Sequence, residues 1–150
     1  MKKFLVSLLC VLFSFNSFSS HLMGGEITWE CLKSGPDIGK YIFTMKVYRD
    51  CSGITVSTTT QIIQVWNHPS LTGIDVDFLL QQDVSPICDP LASGNPQLNC
   101  ASSDPGSVEE YIFQSLPVSL TGVPPIEGWQ FTWDNCCRNA AITNILNPSS

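Results

Sequence analysis

Basic residues are scarce in this chain, with 7 Lys and Arg against 13 Asp and Glu in 150 residues. An acidic surface repels phosphate backbones, so the balance excludes a nucleic-acid partner. Histidine is scarcer still, at two residues, His21 and His68. Neither stands at metal-ligand spacing to a cysteine, and no C-x-x-C pair exists, which argues against a structural zinc site. A Ser-His or Cys-His nucleophile needs a base in a recognisable setting. His21 lies close to a chain end and His68 precedes Pro69 in a turn, so neither provides one. Helical periodicity, internal repeats and low-complexity tracts are all missing. No apolar run reaches the roughly 20 residues that a membrane-spanning helix requires.

The longest apolar run, residues 4–15, follows Lys2 and Lys3 and precedes small residues at Ser17 and Ser19. That order is the pattern of a secretory signal peptide, with cleavage expected after Ser19. Cys10 belongs to this discarded peptide, because Leu9 before it is too large for a lipidation site. Loss of residues 1–19 leaves 5 basic against 13 acidic residues, a net charge of −8. The remaining chain, residues 20–150, reads as a single domain, secreted or at the cell surface, with no transmembrane span. Its last residues, Asn147-Pro148-Ser149-Ser150, follow directly on a strand-like segment, which reads as the N-terminal part of a longer protein.

Six cysteines remain after cleavage: Cys31, Cys51, Cys88, Cys100, Cys136 and Cys137. An even count in an exported chain implies disulfides. If the first two strands form a hairpin about residue 36, Cys31 faces residue 41 and lies roughly 30 Å from Cys51 at strand rise. A disulfide needs Cα atoms within about 7 Å, so a Cys31–Cys51 bond is disfavoured. Two arrangements stay open. In one, Cys136 or Cys137 joins Cys51 while the other joins the loop holding Cys88 and Cys100. In the other, Cys88 and Cys100 bond locally and close that loop.

Strand signals fill the rest. Residues 25–32, 40–50, 54–66, 73–80, 108–116, 118–120, 129–134 and 140–146 are rich in β-branched and aromatic residues. Ser34-Gly35-Pro36-Asp37 is turn chemistry between the first two. Tyr41, Phe43, Met45 and Val47 share the expected core face of the second strand, and Trp129, Phe131 and Trp133 that of a later one. Residues 83–107, with four prolines, read as one long loop. The expectation is an all-β, immunoglobulin-like two-sheet sandwich, stapled by disulfides and carrying that Pro-rich loop.

Few residues invite chemistry. Glu109 and Glu110 are consecutive, so on a strand they point to opposite faces rather than across a cleft. Asp75 and Asp77 share a strand face and offer oxygen ligands for Ca²⁺, but two carboxylates are too few for a site and a solvated face is the simpler reading. Calcium is therefore the one cofactor candidate, and no catalytic residue emerges. Exposed tryptophans in a row would form a sugar platform; Trp129 and Trp133 lie instead on an apolar face that reads as core. Arg49 and Arg138 are placed to bond loop carbonyls or acids.

Three stretches are distinctive together. They are His21-Leu22-Met23-Gly24-Gly25-Glu26-Ile27-Thr28-Trp29-Glu30-Cys31; then Val47-Tyr48-Arg49-Asp50-Cys51; then Trp133-Asp134-Asn135-Cys136-Cys137-Arg138-Asn139 with Ala141-Ile142-Thr143-Asn144. The chain resembles, over residues 21–146, the N-terminal region of Bacteroidota surface proteins known as gliding motility-associated C-terminal domain or PKD-domain-containing proteins. The resemblance implies placement at the cell surface, long chains of β modules as partners, and type IX secretion. It carries no catalytic residues. The combined expectation is a non-catalytic structural or adhesive module of a surface protein, touching neighbouring β modules or other cell-surface components. The alternative is a carbohydrate- or calcium-dependent binding module.

Overall fold

The computed structural model describes residues 22–86, 98–102 and 106–134. Six strands account for most of them: β1 (Leu22–Cys31), β2 (Tyr41–Asp50), β3 (Gln61–Trp66), β4 (Gly73–Asp83), β5 (Val108–Ser115) and β6 (Gln130–Thr132). One short 3-10 turn, Cys100–Ser102, precedes β5. The all-β expectation holds. The strands, however, join in one antiparallel sheet of order β1-β2-β5-β4-β3-β6, where two sheets were expected. The sheet curls until its two ends approach, with the Phe43 ring of β2 and the Phe131 ring of β6 at a centroid distance of 4.8 Å.

Alternation dictates the core. Phe43, Met45 and Val47 of β2, Ile63 and Val65 of β3, Ile74 and Val76 of β4, and Tyr111 and Phe113 of β5 are all buried inside the curl. Each set recurs at every second residue, as side chains on a pleated strand must. The expected core face of β2 is thus found, apart from Tyr41, which is only half-buried. Phe131 and Trp133 are half-buried and pack against this core from the last strand.

β4 departs from simple alternation. Phe78 stands opposite Phe113, but Leu80 stands opposite Ile112, so Leu79 is an extra residue. Such a bulge bends a strand and reverses which parity points inward. Before it, Ile74 and Val76 face the core; after it, Gln81 lies opposite Tyr111 on that face. β4 runs on to Asp83, opposite Glu109 of β5, past the end expected at residue 80.

The hairpin of β1 and β2 has the expected register, with Cys31 opposite Tyr41. Gly25 stands opposite Val47 at a point of close approach, where a side-chain carbon would lie 2.7 Å from the Lys46 carbonyl oxygen. Only glycine fits there without moving β2.

Three strand expectations are revised. Residues 54–60 are not strand, because their polar side chains bond locally: the Ser57 and Thr59 hydroxyls meet at 2.9 Å, and Gln61 donates to the Thr59 carbonyl at 3.0 Å. Side-chain bonds of this kind compete with a ladder. Residues 118–120 contribute a single bridge, in which Val118 and Tyr41 exchange backbone bonds of 2.8 Å. The last described strand shortens to three residues. The expected strand at 140–146 lies outside the described residues.

Candidate functional site

The two ends of the curled sheet differ in chemistry, and a seam runs between them. At one end, β2, β4 and β5 bring their polar ends together. Arg49 is buried and donates through Nε to Glu109 at 2.8 Å and to the Tyr111 hydroxyl at 3.3 Å. Its Nη2 meets Glu109 at 2.6 Å, and its Nη1 donates to the Gly53 carbonyl at 2.9 Å. Burial works to push the Glu109 carboxyl up, but donors from Gln81, Tyr111 and Arg49 together hold it below the usual carboxylate range. On the outer face, burial likewise raises Glu110, and Gln82, Tyr48 and Lys46 outweigh it and lower it. Neither carboxyl is kept protonated, as a general acid must be, and both are occupied by fixed partners.

The same end carries the disulfide. Cys51 bonds Cys100. This overturns both expected pairings of these two cysteines, Cys51 with Cys136 or Cys137, and Cys100 with Cys88. The cause is the position of β5 beside β2: the Cys51 amide donates to the Ser107 carbonyl at 3.0 Å. Asp83 holds the other side, accepting from the Cys100 amide at 2.8 Å and from the Ser85 amide at 2.9 Å. The Ser85 hydroxyl first, then the amides of Cys100 and Ser85, depress its acidity range downward. Cys88, Cys136, Cys137 and Arg138 lie outside the described residues, as does His21. Cys31 stands at the opposite end and bonds no described cysteine.

That opposite end consists of turns. The loop 116–129 exposes Leu116, Val123 and Ile126, the last two at 90% and 99%. It is nevertheless fixed: Gly122 and Gly128 adopt positive φ, the Gly128 amide donates to the Pro125 carbonyl at 2.9 Å, and Asn67 donates to the Gly128 carbonyl at 3.3 Å. His68 anchors the neighbouring turn, its Nδ1 accepting from the Leu71 amide at 2.9 Å and the Ser70 amide at 3.2 Å. A histidine so used is a turn residue.

The seam separates β1 from β6. Among the described residues neither strand has a partner on that side. They converge at Trp29, whose ring lies 5.8 Å from Phe131 and 6.3 Å from Phe43. They diverge below it, leaving an open cleft of about 550 Å³ between Gly25, Ile27 and Met45 on one side and Phe131, Trp133 and Asp134 on the other. The volume is that of a ligand or peptide cleft, about 300–1,000 Å³. Trp29 pairs with inward-facing Phe43, so its side chain belongs to the inner face, yet it is 56% exposed. The edge is where the curl stops short of covering it.

The tryptophans form no platform. Trp29 is on the inner face, whereas Trp66 follows inward-facing Val65 and points outward, its indole N–H donating to the Thr132 hydroxyl at 2.9 Å. Trp129 and Trp133 are half-buried. Asp75 and Asp77 do share an exposed face, but Asp77 accepts from the Thr60 hydroxyl at 2.7 Å. No group of three or more metal-ligating side chains forms among the described residues. No described helix is long and apolar enough to cross a membrane.

The seam was missed in the sequence, because an edge is a property of which strand lies next to which. The signal that could have found it is Trp29, a large apolar residue set between Thr28 and Glu30 on a strand that also carries Gly24, Gly25 and Glu26. Comparison with known protein families, curated proteins and solved structures finds no match for this chain.

Proposed function

We propose that this chain is a non-catalytic structural or adhesive module of an exported bacterial surface protein, and that it joins neighbouring β structure through the β1–β6 seam. The carrying observation is that, among the described residues, β1 and β6 each have one side without a partner strand, and that the two flank a cleft. An edge strand is a template for another strand, and proteins that do not use an edge blunt it with Pro, inward charges or short length. β1 has ten residues, no proline and no inward charge, with one register irregularity at Met23, whereas β6 is short at three residues, so β1 is the edge that offers a template. A Cys51–Cys100 bond fits a compartment that oxidises thiols, in keeping with the signal-peptide reading of residues 1–19. The likeness to Bacteroidota gliding-associated surface proteins supports the same placement, with secretion by the type IX route. Under this reading the curl is an immunoglobulin-like sandwich in which β1-β2-β5 and β4-β3-β6 act as the two layers.

Amide hydrogen exchange tests the reading. In the purified chain, the β1 amides that point away from β2 are expected to exchange rapidly. In cell-envelope preparations of the exported protein they are expected to be protected. Equal exchange in both states would sink the proposal.

A further inference from the structure

Building on that reading, we infer that the seam accepts one extended strand whose solvent side carries Lys or Arg and whose inward side is apolar. The chemistry of β1 on its two faces specifies this occupant. Of its inner row, Gly25 and Ile27 line the cleft, where Phe131 and Trp133 form the apolar part of the far wall, and Trp29 stands where the two strands converge. A strand laid on β1 sets every second side chain into that cleft and onto the exposed indole of Trp29. Small and branched apolar residues fill such a position.

The outer row of β1 is Gly24, Glu26, Thr28 and Glu30, all exposed. A new neighbour places its own outer row directly beside these side chains, where opposite charges stabilise and like charges destabilise. Lys46 reaches Glu26 only at 3.5 Å and is shared with Glu110 at 3.3 Å. Glu30 pairs across the hairpin with apolar Ile42. Asp134 adds a third acid on the cleft wall. Lys46 lines the same cleft, so the edge sets three acids against one lysine, and this net negative charge favours a basic strand. The same acids disfavour a second copy of this chain. With a two-fold axis at Thr28, Glu26 of one copy would stand opposite Glu30 of the other, twice per interface. Backbone bonds to β1 supply affinity and the alternate side chains supply selectivity, the division of labour seen wherever a strand is added to a sheet edge.

The probe is the peptide Val-Lys-Val-Thr-Val-Lys-Val, with its two Lys spaced to meet Glu26 and Glu30. Titrated into the folded, oxidised chain, it is expected to bind one to one, protect the outward β1 amides and shift the Trp29 fluorescence, a shift absent in Trp29→Phe. Methylating alternate backbone nitrogens of the peptide removes its donors and should abolish binding. Replacing both Lys by Glu should weaken it at least tenfold, and Glu26→Lys with Glu30→Lys should reverse that preference. Glu30→Lys alone, at an exposed position, should give part of the reversal and guards against misfolding of the double variant. Equal binding of the methylated or the Glu peptide overturns the proposal, as does concentration-dependent dimerisation through β1 or failure of the Lys peptide to bind. If the β1 amides are still protected in cell envelopes while the peptide fails, the basic-strand inference falls and the seam reading stands.

Discussion

The two ends of this sheet solve opposite problems. At the Arg49 end a buried cation is surrounded by a carboxylate, a phenol and backbone carbonyls, and a covalent bond ties β2 to the segment before β5. At the other end Leu116, Val123 and Ile126 stand in solvent on a loop held by two glycines and a proline turn. One end hides charge and the other exposes apolar surface, each against the usual preference. The lesson is that burial alone does not mark function here. Among the described residues the polar end is a network of partnered groups and reads as a fastening, whereas the apolar side chains at the other end stand on a loop held by backbone bonds.

The contrast can be broken most forcefully at the disulfide. The Cys51–Cys100 bond spans 49 residues of sequence. Chain-entropy reasoning gives about 4 kcal/mol for a loop of that size. Cys51→Ser with Cys100→Ser is expected to lower the unfolding free energy by about that amount, read from denaturant midpoints under oxidising conditions. An unchanged midpoint would show that the polar end holds without its covalent tie.

Next in size is Arg49→Met, which strands Glu109 without its cation. Removing one partner of a buried pair costs about 3 kcal/mol or more, whereas Arg49→Met combined with Glu109→Leu should recover much of the loss. The pH dependence has a definite sign. Glu109 is held below its ordinary range in the folded chain. Its contribution is therefore complete above the ordinary carboxylate range and is lost as pH falls through the lower folded value. Stability curves of wild type and Arg49→Met should converge in acid, and parallel curves would remove the ion pair from the account.

The smallest effect on stability is expected at the other end. Val123→Ser with Ile126→Ser should change the unfolding free energy by less than about 0.5 kcal/mol, as surface substitutions do. Adsorption of the chain to apolar beads should nevertheless fall. A large loss of stability would show that this loop is part of the core after all, and the contrast between the ends would fade.

Much of this was legible beforehand because it is local. The inward row Phe43, Met45, Val47 follows from period-two alternation, and Cys31 opposite Tyr41 follows from a hairpin about residue 36. What was not legible is what depends on distant neighbours. The pairing of Cys51 with Cys100 required knowing that β5 lies beside β2, a contact across about sixty residues with no signature in either strand. The bulge at Leu79 hid within an unbroken apolar run, Phe78-Leu79-Leu80, where alternation gives no parity to read. Trp29 looked like one more aromatic strand residue until the sheet order left it at an edge. Glu109 and Glu110 were placed correctly on opposite faces, and Arg49 was expected to bond loop carbonyls or acids, as it does with Gly53 and Glu109; that Glu109 is the acid depends on β5 lying beside β2.

Gly25 has a mechanical consequence for the seam. A strand that slips by two residues keeps its faces and loses little pattern, so an edge strand tugged by an incoming partner could slide along β2. Here the slide is stopped by a missing side chain. Moving β1 either way would bring Met23 or Ile27 to the point where even a single added carbon lies 2.7 Å from the Lys46 carbonyl oxygen. β1 therefore works as an indexed rail, with one notch that accepts only hydrogen, and whatever docks along it is measured from a fixed zero.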